Sequence, residues 1–277
     1  MNKMNRELNA AILQSLLGKY SLYVCQLLSL AVLARLFTPD IFGTLAALQV
    51  LIIFFQLLAT SGLGPAIIYK EQISPLERDG IFSVTCIIGI VFALIFILIT
   101  PVLGQWLNLG NIRLLTFVLC LNVFFSALSM LPLASLQKDT QFYVIARAEV
   151  FAEVIAFIVC ICGFFLNLGI IALASKLIVT PIVRFYFYYN YSASTQIGRP
   201  HLGCKLSSIY SLVSMAKFQL AFSVLNFFSR NLDTLLVAKY FGVNTVGFYE
   251  KTYQVMRYPL QLFTFAIVPA LQPILTR

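Results

Sequence analysis

Gln219, Ser223, Asn226, Arg230 and Asp233 recur at intervals of four, three, four and three residues, which places them on one face of a helix. Lys217 lies in the same stretch, Arg257 in the next apolar one, and Lys19 near the N-terminus. Such an excess of cations facing a water-filled cleft suits a phosphate group, because Arg binds its oxygens bidentately and Lys acts as a point charge. The sequence therefore predicts a substrate surface of Lys19, Gln26, Lys217, Asn226, Arg230, Asp233 and Arg257. Within it, Arg230 and Asp233 also have the spacing of an ion pair.

A second set lies on the stretch 142–166. Ala146, Glu149, Glu153, Ala156, Cys160 and Gly163 share one helical face, while Phe, Ile and Val occupy the others. Small residues permit close helix packing, so the two carboxylates point into a bundle. Two roles stay open for Glu149 and Glu153: coupling of a proton or cation, or a structural ion pair with Lys176 or Lys19. Arg35, Arg113, Arg184 and Lys239 fall near the ends of apolar stretches and are expected to extend their charges to the membrane surface.

Other chemistry has no sequence support. There is no phosphate-binding glycine loop ending in Lys-Ser or Lys-Thr. No Cys, His, Asp or Glu cluster has metal-ligand spacing, so neither a metal nor another cofactor is expected. The six cysteines lack redox spacing and read as small core residues. The single histidine, His201, sits in a polar loop and is given no role. The net charge of +9 comes from cations scattered between apolar runs, which argues against nucleic acid as a partner.

The elements that position these residues follow from composition. Of 277 residues, 60% are hydrophobic and 10% charged, with a mean hydropathy of +0.92. A soluble domain carries about 25% charged residues, so this chain is an all-α integral membrane protein, a polytopic helical bundle. Apolar runs predict eight spans, at 11–36, 42–69, 81–103, 112–136, 142–166, 169–190, 208–236 and 247–271. Lys3, Arg6, Lys70, Arg78, Lys138, Arg199 and Lys205 gather on one side of these spans. The positive-inside rule then puts the N-terminus and the loop 191–207 in the cytoplasm.

An internal repeat organises the spans. Leu33–Gly43 aligns with Val237–Gly247 at an offset of 204 residues, with Ala34/Ala238, Phe37/Phe241 and Gly43/Gly247 identical. The same offset aligns Leu58/Leu262, Thr60/Thr264, Pro65/Pro269 and Ala66/Ala270. An even number of spans separates the copies, so they share one orientation about an axis along the membrane normal. Residues 1–190 are thus expected to form a first six-helix bundle, 191–207 a cytoplasmic linker, and 208–277 the first two spans of a second bundle. On this reading the chain is truncated, with the remainder of the second bundle missing.

Phe228–Leu271 resembles the second-half entry of bacterial polysaccharide exporters in the multidrug/oligosaccharidyl-lipid/polysaccharide superfamily. The likeness lies in Asn231-x-Asp233, Gly242, Gly247-x-Tyr249, Pro259 with Gln261, and Pro269. The stretch from Ala34 to Ile68 is similar to that family's N-terminal span pair, including Gly62-x-Gly64-Pro65. The resemblance implies a V-shaped pair of six-helix bundles in the bacterial inner membrane. It also implies a flippase that moves undecaprenyl-pyrophosphate-linked oligosaccharide for lipopolysaccharide or exopolysaccharide synthesis. Such a protein is not an enzyme; its partners are the lipid-linked substrate, membrane lipid, and the machinery of polymerisation and chain-length control. Three alternatives stand beside this reading. A multidrug or toxin cation antiporter of the same superfamily would want a carboxylate-lined cavity. A membrane-embedded polymerase would want a large periplasmic loop. The third is a non-functional fragment.

Overall fold

The computed structural model describes residues 3–60, 63–70, 72–110, 112–204 and 210–275, and their side chains apart from 3–16, 210–216 and 257–275. Arg257 therefore lies outside the residues whose side chains are described. The described chain is all helical: α1 (Lys3–Leu36), α2 (Pro39–Thr60), α3 (Leu63–Tyr69), α4 (Pro75–Trp106), α5 (Arg113–Lys138), α6 (Phe142–Phe165), α7 (Ile170–Tyr191), a short 3-10 turn (Ser192–Ser194) and α8 (Tyr210–Leu275).

Among the described residues, six helical segments are long and apolar enough to cross a membrane, and they correspond to the first six expected spans. The second of these is shared by α2 and α3. The seventh and eighth expected spans are two arms of α8, which breaks at Gly242 (φ 81°, ψ 168°), a conformation that suits a residue without Cβ. The break falls one residue before Val243, the equivalent of Pro39 at the start of α2, so the two arms of α8 reproduce the α1–turn–α2 unit. Leu94 and Leu98 of α4, Phe117 of α5 and Ile158 of α6 are exposed, as a lipid-facing surface requires. The chain is a multi-pass membrane protein.

Helix starts differ from the apolar runs where capping overrides hydropathy. α4 begins six residues before the expected span because Ser74 and Glu77 form a reciprocal capping box with Pro75 in the first turn. This makes the polar run Glu77-Arg78-Asp79 helical. The described part of the linker, residues 192–204, is held against the start of α4 and the end of α5. Arg78 donates to the Ile197 carbonyl (3.1 Å), the Gln196 amide to Asp139 (2.7 Å), the His201 amide to Asp79 (2.9 Å) and the Gly203 amide to Ser83 (2.7 Å).

α6 packs on α1 and α7, α5 on α4 and α7, and α2 on α5 and α8. Gly18 meets Ala146 and Gly89 meets Ala127, so small residues set the closest approaches within the first bundle. Leu48, Leu51, Ile52 and Phe55 of α2 form the centre of the main core with Phe96, Leu119 and Val123. Of the cysteines, only Cys160 is buried; Cys162 and Cys204 are exposed, which corrects the core reading for those two.

Pro181 lies inside α7 and removes the amide that would bond the Leu177 carbonyl. Asn122 of α5 donates to that carbonyl instead, and Gln56 of α2 donates in turn to the Asn122 Oδ1 and to Ser126 (2.9 Å). Three helices are thus joined through one proline-freed acceptor. Asn122→Leu is expected to lower stability by about 1–3 kcal/mol, measured by thermal unfolding in detergent. Adding Pro181→Ala restores the amide and should recover most of the loss; a double variant no more stable than the single one overturns this account.

Candidate functional site

Hydrocarbon disfavours polar side chains, so those on membrane helices turn inward, and here they converge on one cavity of about 630 Å³. Its walls come from α1, α2, α5, α6 and α7 and from both arms of α8. It runs from Leu33 and Phe42, beside the α1–α2 turn, to Leu133 and Tyr188 at the opposite end of the bundle.

α7 supplies a polar stripe with four-residue spacing: Lys176, Thr180, Arg184 and Tyr188 all line the cavity. α6 faces it with Glu149 and Glu153. Glu153 is buried, at 4% exposure, and its carboxylate lies 2.7 Å from the Lys176 ammonium, which also donates to Ser29 of α1 (2.7 Å). An ion pair with Lys176 is one of the two roles open to Glu153, and that contact is present. Glu149 accepts a long hydrogen bond from the Tyr188 hydroxyl (3.4 Å). Arg184 does not extend to the membrane surface as expected. It is half-buried on the cavity wall, its Nε lacks a hydrogen-bond partner, and it forms no salt bridge among the described residues.

The repeat places equivalent residues on the two sides of this space. Leu30/Thr234, Ala46/Glu250 and Val50/Gln254 are each separated by the 204-residue offset, and all six line the cavity. The cavity therefore straddles the axis that relates the copies. In each pair the first-copy residue is apolar and the second-copy residue is polar, so the α8 wall is the more hydrophilic of the two. Amides are abundant: Gln26, Gln49, Gln56, Asn122, Asn231 and Gln254 all reach it.

Of the predicted surface residues, Gln26 lines the cavity. Lys19 is half-buried on α1 and is not part of the wall. Lys217, Asn226 and Arg230 are exposed and also lie off the wall, with the Lys217 ammonium 5.0 Å from the centre of the Phe218 ring. Asp233 does not pair with Arg230. It accepts from the Tyr249 hydroxyl (2.6 Å) and the Thr234 amide (2.8 Å), which braces the two arms of α8 across the Gly242 break. The charge balance also departs from the expected cationic cleft, since Glu149, Glu153 and Glu250 face Lys176 and Arg184. Sequence reading missed Gln49 and Gln56, seven residues apart on α2, and Asn122, which shares a face of α5 with Ser126 and Ser129. It also missed the α7 stripe, whose spacing was a detectable signal.

A family model described as "Polysaccharide biosynthesis protein" matches residues 32–277, almost the whole chain. The chain belongs to this family. It is 28% identical over 255 residues to the lipopolysaccharide biosynthesis protein WzxC of Escherichia coli (strain K12), covering 91% of this chain and 49% of that protein. It is 20% identical over 225 residues to the teichuronic acid biosynthesis protein TuaB of Bacillus subtilis (strain 168), covering 81% and 44%. With the succinoglycan biosynthesis transport protein ExoT of Rhizobium meliloti (strain 1021) the identity is 22% over 267 residues, covering 94% and 52%. The chain spans about half the length of these curated relatives. No solved structure matches it. All three relatives are named for polysaccharide biosynthesis, and ExoT is named as a transport protein.

Removing one partner of a buried ion pair leaves the other uncompensated, which costs about 3–5 kcal/mol. Lys176→Met is expected to destabilise the protein by that order in detergent unfolding. Glu153→Gln added to it should recover most of the loss. Equal stability of the single variant and the unchanged protein overturns the structural role of the pair.

Proposed function

We propose that this protein contributes the translocation pathway for a lipid-linked saccharide repeat unit across the bacterial inner membrane, with its N-terminus in the cytoplasm. The observation that carries this reading is the amide- and hydroxyl-rich cavity on the axis between the repeats, in a chain of a polysaccharide biosynthesis family. A saccharide is a dense array of hydroxyl donors and acceptors, and side-chain amides pair with both kinds. Gln26 and Gln49 face that array, and Arg184 takes an anionic group such as the pyrophosphate of an undecaprenyl carrier. Glu153 and Lys176 form the structural pair, and of the two α6 carboxylates Glu149 serves ion coupling.

The cavity's three carboxylates favour one second reading, export of an organic cation. Both are tested in a strain whose surface polysaccharide depends on this gene. Gln49→Leu, Arg184→Leu and Glu149→Gln are each expected to reduce surface polysaccharide at least tenfold at unchanged membrane abundance, with lipid-linked units accumulating. Susceptibility to ethidium should stay constant. Undiminished polysaccharide in all three variants removes the translocation reading, and a change confined to ethidium susceptibility establishes the second.

A further inference from the structure

Arg147 stands on the outer side of α6, exposed and away from the cavity wall. Tyr143 and Phe151, one helical turn to either side of it, are exposed as well, as are Val154 and Ile158 further along the helix. The guanidinium carbon lies 5.7 Å from the Tyr143 ring centre and 5.9 Å from that of Phe151, so the charge is held between two rings. This aromatic surface continues onto α7. Phe151 stacks on Phe187, with centroids 5.8 Å apart and planes at 21°, and Phe187 stacks on Tyr191 at 6.2 Å and 12°.

Neighbouring cations at this end of the bundle reach oxygens of the protein. Lys70 pairs with Glu77 (3.0 Å) and Arg78 with Asp79 (2.7 Å), while Lys138 donates to the Lys70 carbonyl and Arg199 to the Asn190 side chain (3.1 Å). Arg147 differs from all four. Among the described residues its N–H groups meet rings and no oxygen acceptor. Hydrocarbon offers no acceptor either, so the charge calls for one from the interfacial layer, where tyrosines such as Tyr143 are enriched.

We propose that Arg147, set between Tyr143 and Phe151, binds the phosphodiester of an anionic glycerophospholipid on the outside of the bundle. A guanidinium presents paired N–H groups that match two phosphate oxygens. The rings on either side exclude water from that pair, and the aromatic run through Phe187 to Tyr191 gives an acyl chain a surface to lie on. One lipid is thus held by its charge and by its chain. It spans the outside of α6 and α7, the two helices whose inner sides carry Glu153 and Lys176. The site stands whatever the cavity carries, because it uses none of the cavity's residues.

The full chain in detergent is titrated with phosphatidylglycerol, and bound lipid is counted by native mass spectrometry, with phosphatidylcholine as the zwitterionic comparison. Arg147→Gln is expected to lower the affinity for phosphatidylglycerol about fivefold, the usual weight of one cation at an anionic surface, and to leave that for phosphatidylcholine unchanged. Tyr143→Leu/Phe151→Leu keeps the charge, removes its rings and should lower phosphatidylglycerol binding about twofold. Should Arg147→Gln fail to fold, Arg147→Met, whose apolar chain suits a lipid-facing position, is measured in its place with the same expectation. Phosphatidylglycerol binding that is unchanged in the folded Arg147 variant, or that falls equally with phosphatidylcholine binding, overturns the site. If undecaprenyl phosphate displaces phosphatidylglycerol from the unchanged protein at a small fraction of its concentration, but not from the Arg147 variant, the site belongs to an isoprenoid carrier and the glycerophospholipid assignment fails.

Discussion

A charged group in hydrocarbon must find its counter-charge within the protein, and Lys176 finds it in Glu153, 2.7 Å away. The same ammonium reaches Ser29, so one buried cation holds α7, α6 and α1 in register. The cavity depends on this arrangement. With Lys176 committed to Glu153, Arg184 two turns further along α7 lines the cavity, while Glu149, among the described residues, has a long bond from Tyr188. Satisfying one pair of charges thereby exposes another set on the cavity wall.

A related economy operates on backbone groups. Pro181 frees the Leu177 carbonyl, and in lipid an unpaired carbonyl is costly. Asn122 answers it from α5 and is itself fixed by Gln56 of α2. These amides line the cavity as well, so the bonds that hold α2, α5 and α7 together also shape the surface available to a ligand.

The repeat acquires physical content from the fold. Copies related by 204 residues place Leu30/Thr234, Ala46/Glu250 and Val50/Gln254 around one space, and exchange equivalent contacts at Gly43 and Gly247. At these three positions the first copy is apolar where the second is polar. A ligand between them meets two chemically different walls, which suits a molecule with both a hydroxylated and a hydrocarbon part.

Sequence by itself determined the all-α membrane class, the first six spans, the repeat and the inward face of α6, because lipid forces apolar runs and helical periodicity to coincide with burial. Family membership was also legible, in the glycine, proline and Asn231-x-Asp233 spacings. Tertiary structure alone decided partners and the cavity wall. Arg230 and Asp233 have the spacing of a pair, yet Tyr249 takes Asp233 because the break at Gly242 folds the second arm of α8 back onto the first. Arg184 lies near the end of an apolar run, where hydropathy places it at the membrane surface, yet the packing of α6 and α7 turns it inward. Gln49 and Gln56 share one face of α2, and Asn122, Ser126 and Ser129 one face of α5, so their spacing gives a direction but not a partner. Their meaning lies in which helix stands opposite, and that is fixed by long-range packing rather than by neighbours in the chain.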